Sequence, residues 1–321
     1  MVDVLGFRSR LNVILSGAGL GTKGIADGLT FASGLGSTSV TATQDADASA
    51  DGRPLIRVAV TTSLDWKRKT LNAQQLAVIN SLASLSALVK DERSGRFAIS
   101  TRINCHGEMV KPAAVLVAAA AMLQSDSVAG AMNLLSDMSG HAPHHADSDQ
   151  SIVGLAADLA RAEAELQRDG ILAFSDGRGA FAAELPTISG GPSGVLELNG
   201  NMTHPLLGRG LIYRLQLPQV WSDPKAVASL ANTVNNWEML GKLPAGPGAW
   251  SVSTEGNALC FRGFIPTFCY SPGLAVVVVD WMRRKHHSAA VLTRELPAKA
   301  LPAHGGVRRA LASLFAKEKI A

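Results

Sequence analysis

The constraint that narrows the fold most is internal: the chain runs through one order of elements twice. In the first half, Thr70 caps a helix whose apolar stripe is Leu71, Val78, Leu82, Leu85 and Val89, at helical spacings. In the second, Ser222-Asp223-Pro224 supplies a cap and a first-turn proline, and the stripe is Val227, Leu230, Val234, Trp237 and Leu240. A glycine-containing break and a period-2 segment follow each helix, at residues 96–101 and 249–254. Phe97 matches Trp250, Ile99 matches Val252, and Ser100-Thr101 returns as Ser253-Thr254. A further strand is expected at 104–110 and 258–269. Each half then closes on a proline-led apolar run, 112–122 and 272–282, read as a helix in both.

A chain of 321 residues, 47% apolar, can build two cores of ordinary size. Upstream of the central helix, the first half offers strands at 37–43 and 55–62. The second offers an amphipathic helix over 152–168, with Leu155, Leu159 and Leu166 on one side. Strands at 171–175 and 180–185 then flank Asp176-Gly177, a hairpin signal, and strands at 194–198 and 211–217 follow. The second half thus reads α-β-β-β-β-α-β-β-α. The expected fold class is α+β: two similar domains, each an antiparallel sheet packed against helices. Residues 139–151 are small and polar and read as a linker. The expected divisions are a Gly-rich N-terminal arm (1–36), a first domain (37–138), the linker, a second domain (152–290) and a basic C-terminal tail helix (291–321). The acidic stretch 41–53 reads as a loop or hairpin turn.

With Asn80 and Gly95-Arg96-Phe97 in one half, and Asn235-Asn236-Trp237 and Gly248-Ala249-Trp250 in the other, the chain resembles two related groups. One is the class I type III secretion chaperone fold, ordered as a helix, three antiparallel strands, a helix, two strands and a closing helix. The other is the bacterial YbjN-like family. The likeness covers most of the second half and the middle of the first; the first 36 residues have no place in it. It implies a bacterial protein with a chaperone-like or regulatory role, exercised by binding another protein.

Composition excludes several classes. The formal net charge is +4. Residues 1–150 carry 13 basic and 13 acidic side chains, 151–280 carry 8 and 11, and 281–321 carry 9 and 2. The basic character is that of the tail, which does not announce a nucleic-acid binder. Cys105, Cys260 and Cys269 show no CxxC spacing and suit a reducing compartment. The short run Leu11-Asn12-Val13-Ile14-Leu15 after Arg10 is too brief for a secretory signal. The longest apolar runs fall short of the roughly 20 residues a spanning helix needs. A cytoplasmic location is the expectation.

Catalytic motifs are weak. Residues 17–24 (GAGLGTKG) invite a phosphate-loop reading, but Thr22 stands where a dinucleotide fingerprint wants glycine, and Lys23 is followed by Gly24 instead of Ser or Thr. His141, His144 and His145 with Asp147 and Asp149 have metal-ligand chemistry on a linker, and no metal or other cofactor is expected there. Cys105 and His106 would point to opposite faces of a strand. No catalytic constellation emerges, and the protein is read as non-enzymatic.

Interaction features are stronger. Trp221, Trp237, Trp250 and Trp281 fall within 61 residues. Most belong in a core, but tryptophan and arginine also anchor interfaces. A partner-binding groove would combine Trp237, Trp250 and Trp281 with Arg262, Phe264, Ile265, Phe268 and Tyr270 exposed on the late hairpin. The tail carries Leu314 and Phe315 on one side and Arg308 and Arg309 elsewhere, so it can dock on a protein or on an anionic membrane surface. A protein partner is the leading expectation. A peripheral membrane-associated assembly factor using the Gly-rich arm and basic tail is the alternative, followed by a nucleotide- or metal-dependent enzyme.

Overall fold

The computed structural model describes residues 4–45, 55–64, 70–82, 85–90, 95–105, 110–136, 152–187, 193–204, 207–244, 246–253, 257–293 and 299–300. The chain gathers into two compact units, Met1–Pro143 with Asn232–Ala249, and His144–Ala231 with Trp250–Ala321. The expected linker, with His141, His144 and His145, lies outside the described residues. So do Arg308, Arg309, Leu314 and Phe315 of the tail.

The first unit opens on helix α1 (Val4–Gly17), followed by strands β1 (Lys23–Ile25), β2 (Gly28–Ser33), β3 (Gly36–Asp45) and β4 (Leu55–Leu64). Phe7, Leu11 and Leu15, each four residues apart, share one helix face and are buried. Arg8 donates from Nε to the Ala42 carbonyl at 3.1 Å, fixing α1 to β3. The first 36 residues are therefore an integral part of this unit and not a separate arm. A glycine-rich stretch hides the short β1–β2 hairpin because its residues carry almost no apolar alternation.

Helix α2 (Ala73–Ser81) follows, then strands β5 (Ala87–Lys90) and β6 (Phe97–Cys105) and helix α3 (Val110–Ser136). Asn72 caps α2 in a reciprocal box with Gln75, at 2.9 and 3.0 Å. The helix is shorter than its apolar spacing predicts. Leu85 and Val89 are buried, but Val89 lies in β5, and Val78, expected on the core stripe, is 43% exposed. Similarly, the two strands expected at 96–101 and 104–110 are the single strand β6. The sheet order is β1-β2-β3-β4-β6-β5, antiparallel throughout. One face buries Val40, Ala42, Ile56, Val58, Val60, Ile99 and Ile103 beneath α1 and α3. Along α3, Pro112–Asn133 is long and apolar enough to cross a membrane by length and composition, longer than the runs read from sequence. Of its most apolar window, 61% is buried inside the protein. A hydroxyl ladder sits under it: Gln124 Nε2 donates to Thr62 Oγ1 at 2.6 Å, and Thr62 bonds Thr38 at 2.7 Å.

The second unit repeats this connectivity. Helix α4 (Leu155–Arg168) leads into β7 (Ala173–Ser175), β8 (Ala180–Leu185), β9 (Gly194–His204) and β10 (Gly208–Val220). Helix α5 (Pro224–Met239), β11 (Ala249–Val252), β12 (Ala258–Pro266) and α6 (Leu274–Thr293) complete the order, although Asn232–Ala249, with the later part of α5, gathers into the first unit. The strand order β7-β8-β9-β10-β12-β11 is that of the first sheet, with β13 (Lys299–Ala300) added beside β10. The α+β class with two similar antiparallel sheets is thus the architecture, and α-β-β-β-β-α-β-β-α describes both units. Each has four strands before its central helix, one more than the chaperone order. The strand containing Phe97 corresponds to β12, not to the strand containing Trp250. The Ser-Thr identity had placed the halves one strand out of step.

Helices α4 and α6 pack together over the second sheet. Asp158 of α4 accepts from the Gly273 amide at 2.6 Å and from the Tyr270 hydroxyl, so it holds the start of α6. Tyr213, fully buried, lies over Gly263, where a Cβ would come within 2.2 Å of the ring. Gly263→Ala is expected to cost about 2 kcal/mol or more in urea denaturation. Gly21→Ala, with no atom within 4 Å of its added carbon, should change stability by less than about 0.5 kcal/mol.

His286 of α6 is buried against Gly194, and burial, aided by the nearby His287, lowers its pKa from 6.5 to about 4. The unfolded chain therefore takes this proton first as pH falls. The contribution is intact above pH 6.5 and is lost progressively between 6.5 and about 4. Denaturant melts across that range should show this slope, and His286→Leu should lack it.

Candidate functional site

The residues expected to line an aromatic groove divide sharply. Trp250, Phe264, Ile265 and Trp281 are buried, which corrects the expectation that Phe264 and Ile265 stand exposed. Both faces of β12 are covered: Trp250 meets Phe261 edge-on at 5.3 Å, and Phe264 stacks on His204 at 4.7 Å. Trp237 is half-buried, and Tyr270 is engaged by Asp158. Phe268 alone of this set is strongly exposed, at 69%. Strand β12 pairs with β10, so the residues expected on an exposed late hairpin belong to the body of the second sheet.

A different site is present in the first unit. In an antiparallel sheet, directly opposed residues form rows across neighbouring strands, and alternate rows face opposite sides. On the face away from α1 and α3, one row is Thr41, Ala59 and Arg102; the next is Thr43, Arg57 and Asn104. Gly241, Lys242, Leu243 and Pro244 of the same unit complete a pocket of about 430 Å³ with these residues. Three of the lining side chains, Arg57, Arg102 and Lys242, are cations, and among the described residues no carboxylate lines it.

The wall beyond the sheet is the end of α5. Gly241 donates to the Glu238 carbonyl and Lys242 to the Trp237 carbonyl, both at 2.9 Å, a Schellman closure with Gly241 at φ +74°. A Cβ on Gly241 would lie 2.5 Å from Arg102 Nη1. The guanidinium thus depends on that glycine for its place. Burial, and then the charge of Arg57, lower the Arg102 pKa from 12.5. Its Nε is buried with no hydrogen-bond partner. Arginine does not give up its proton in proteins, so Arg57 and Arg102 stay cationic and do not serve as general acids or bases. The thiols are inert as nucleophiles: burial pushes Cys105 and Cys269 up to about 12 and also raises Cys260. Among the described residues no three His, Cys, Asp or Glu side chains gather as metal ligands.

The second unit has a counterpart row with a different outcome. Glu197 of β9, Arg214 of β10 and Arg262 of β12 stand opposite one another. Arg214 Nε bonds Glu197 Oε2 at 2.8 Å, with the carboxylate side chain 16% exposed. Arg262, expected at a partner surface, is half-buried beside this ion pair.

Sequence reasoning passed over Arg57, Arg102 and Lys242. A signal was available: Arg102 and Arg262 are 160 positions apart, as are Pro112 and Pro272. Replacing Arg102 with Met removes a half-buried charge, so Arg102→Met should leave Tm unchanged or raise it. Gly241→Ala forces a side chain into a left-handed conformation against Arg102 and should lower Tm by about 3 °C in thermal melts. Compared with known proteins, the chain matches no family model, no curated protein and no solved structure.

Proposed function

We propose that the chain is a non-enzymatic, chaperone-like or regulatory binding protein that acts through a partner protein, an anionic group of which enters the basic pocket of the first unit. The observation that carries this reading is the buried Nε of Arg102 without a hydrogen-bond partner, on a pocket wall that also presents Arg57 and Lys242. An unsatisfied buried donor on a cation costs stability, and an incoming anion repays that cost. The strand rows fix the backbone positions of Arg57 and Arg102 on neighbouring strands before any ligand arrives. Three buried free thiols are compatible with a reducing, cytoplasmic setting. The membrane-associated alternative loses its flexible arm, since α1 and the β1–β2 hairpin are built into the first unit.

Crosslinked capture from host extract, with wild-type full chain and an Arg57→Ala/Arg102→Ala variant, tests the proposal. Wild type should enrich a discrete partner at about 50 mM salt, with at least a fivefold loss in the variant and a similar loss at high salt. Equal capture by both proteins would remove the pocket from the interaction.

A further inference from the structure

We infer that the group received by the first unit's pocket is a carboxylate, and that Glu197 marks, within the chain's own second repeat, the place such a group takes beside Thr41. This rests on the partner-binding reading above and specifies its chemistry.

The two sheets align strand for strand, β3 with β9, β4 with β10 and β6 with β12. Matching the buried rows fixes which faces correspond, and the 160-position offset shared by Arg102/Arg262 and Pro112/Pro272 selects the register. Ala42, Val58 and Ile103 correspond to Leu198, Tyr213 and Gly263. Val40, Val60 and Thr101 correspond to Leu196, Leu215 and Phe261. The open-face row between them then pairs Thr41 with Glu197, Ala59 with Arg214 and Arg102 with Arg262. A one-residue shift would turn every core residue outward, so this assignment is strongly constrained.

The arginine on the last strand is common to both rows. In the second unit a carboxylate is supplied internally, held by Arg214. In the first, two small side chains, Thr41 and Ala59, stand where Glu197 and Arg214 stand, and the space they leave forms part of the pocket. The second cation comes instead from Arg57, one row along. A carboxylate placed there would face the two guanidinium groups, with the Thr41 and Thr43 hydroxyls and the Asn104 amide at hand as further donors.

The same pocket disfavours a phosphate. Its far wall is the C-terminal end of α5, where the last carbonyls carry partial negative charge. That pole opposes a dianion more than a monoanion. A planar two-oxygen group also matches the guanidinium fork.

The test uses full-length protein with three probes, a glutamate-rich peptide, glutarate and inorganic phosphate, measured by calorimetry at low salt. The variants are Thr41→Glu, which supplies the carboxylate internally, and Thr41→Gln, its neutral counterpart. The peptide should bind wild type and Thr41→Gln within threefold of each other, and Thr41→Glu at least tenfold more weakly. Phosphate should bind wild type at least tenfold more weakly than the peptide. Phosphate binding as tightly as the peptide, or equal peptide binding by all three proteins, overturns the carboxylate assignment and leaves the partner reading standing. Glutarate binding as tightly as the peptide does the reverse: it supports the carboxylate and overturns the protein partner. No binding by any probe overturns the carboxylate assignment.

A measurement without ligand checks the same geometry. Thr41→Glu should melt about 3 °C above Thr41→Gln, and that difference should vanish in an Arg102→Gln background. A difference that survives the loss of Arg102 would show that residue 41 does not reach it, and the inference would fall.

Discussion

Two hydrogen bonds from one buried amide hold the first unit's topology together. Asn80, near the end of α2, donates from Nδ2 to the Leu88 carbonyl at 3.0 Å and accepts from the Leu88 amide at 2.8 Å. The side chain thus pairs with β5 as a neighbouring strand would, and it fixes the helix to the sheet edge. With β5 held at the edge, β6 is left to enter the gap beside β4. The second unit follows the same path, and Asn235 and Asn236 are likewise buried on its central helix. A buried amide is expensive unless bonded, which makes Asn80 a strict local requirement.

That topology places the site. Because β6 lies next to β4, rows of three side chains run across β3, β4 and β6, joining residues from distant parts of the sequence. One face of these rows is apolar and covered by α1 and the alanine-rich α3. The other carries Ser37, Ser39, Thr41 and Thr43 on β3, and Thr61 and Ser63 on β4, with Arg57 and Arg102 among them. Small hydroxyl side chains leave room above the sheet, and arginines rising between them find space instead of a packed layer.

The second half was largely legible from sequence because each signal there has a local cause. Leu155, Leu159 and Leu166 repeat at helical spacing, Asp176-Gly177 makes a tight turn, and Pro224 opens a helix. The first half misled for equally physical reasons. Leu82, Leu85 and Val89 continue a helical spacing from Leu71 and Val78, yet the helix stops at Ser81 and the later residues turn into a strand. Alternation in β5 buries Ala87 and Val89 on one side, a pattern that four residues cannot distinguish from a helix face. The pocket was invisible for a different reason. An arginine within an alternating strand reads as an ordinary solvated position, and only the pairing register shows that Arg57 and Arg102 are neighbours. The aromatic residues failed as site markers because their number reflected core volume.

That last point explains how two copies of one topology have come to differ. In the second unit Trp250, Phe261, Tyr213 and Trp281 fill the interior, and Lys285 is buried with its ammonium 4.1 Å from the Phe261 ring. Of its open-face arginines, Arg214 is paired with Glu197, while the Nε of Arg262, like that of Arg102, is buried without a hydrogen-bond partner. In the first unit α3 buries Ala113, Ala114 and Ala118–Ala121, and little aromatic bulk is needed for close packing. Its open-face arginines have no carboxylate in their pocket. An internal counter-ion and a dense core make a unit self-sufficient. The two copies thus differ in where their bulk and charge sit: the second unit carries the heavier aromatic core, and the first carries a pocket lined by Arg57, Arg102 and Lys242.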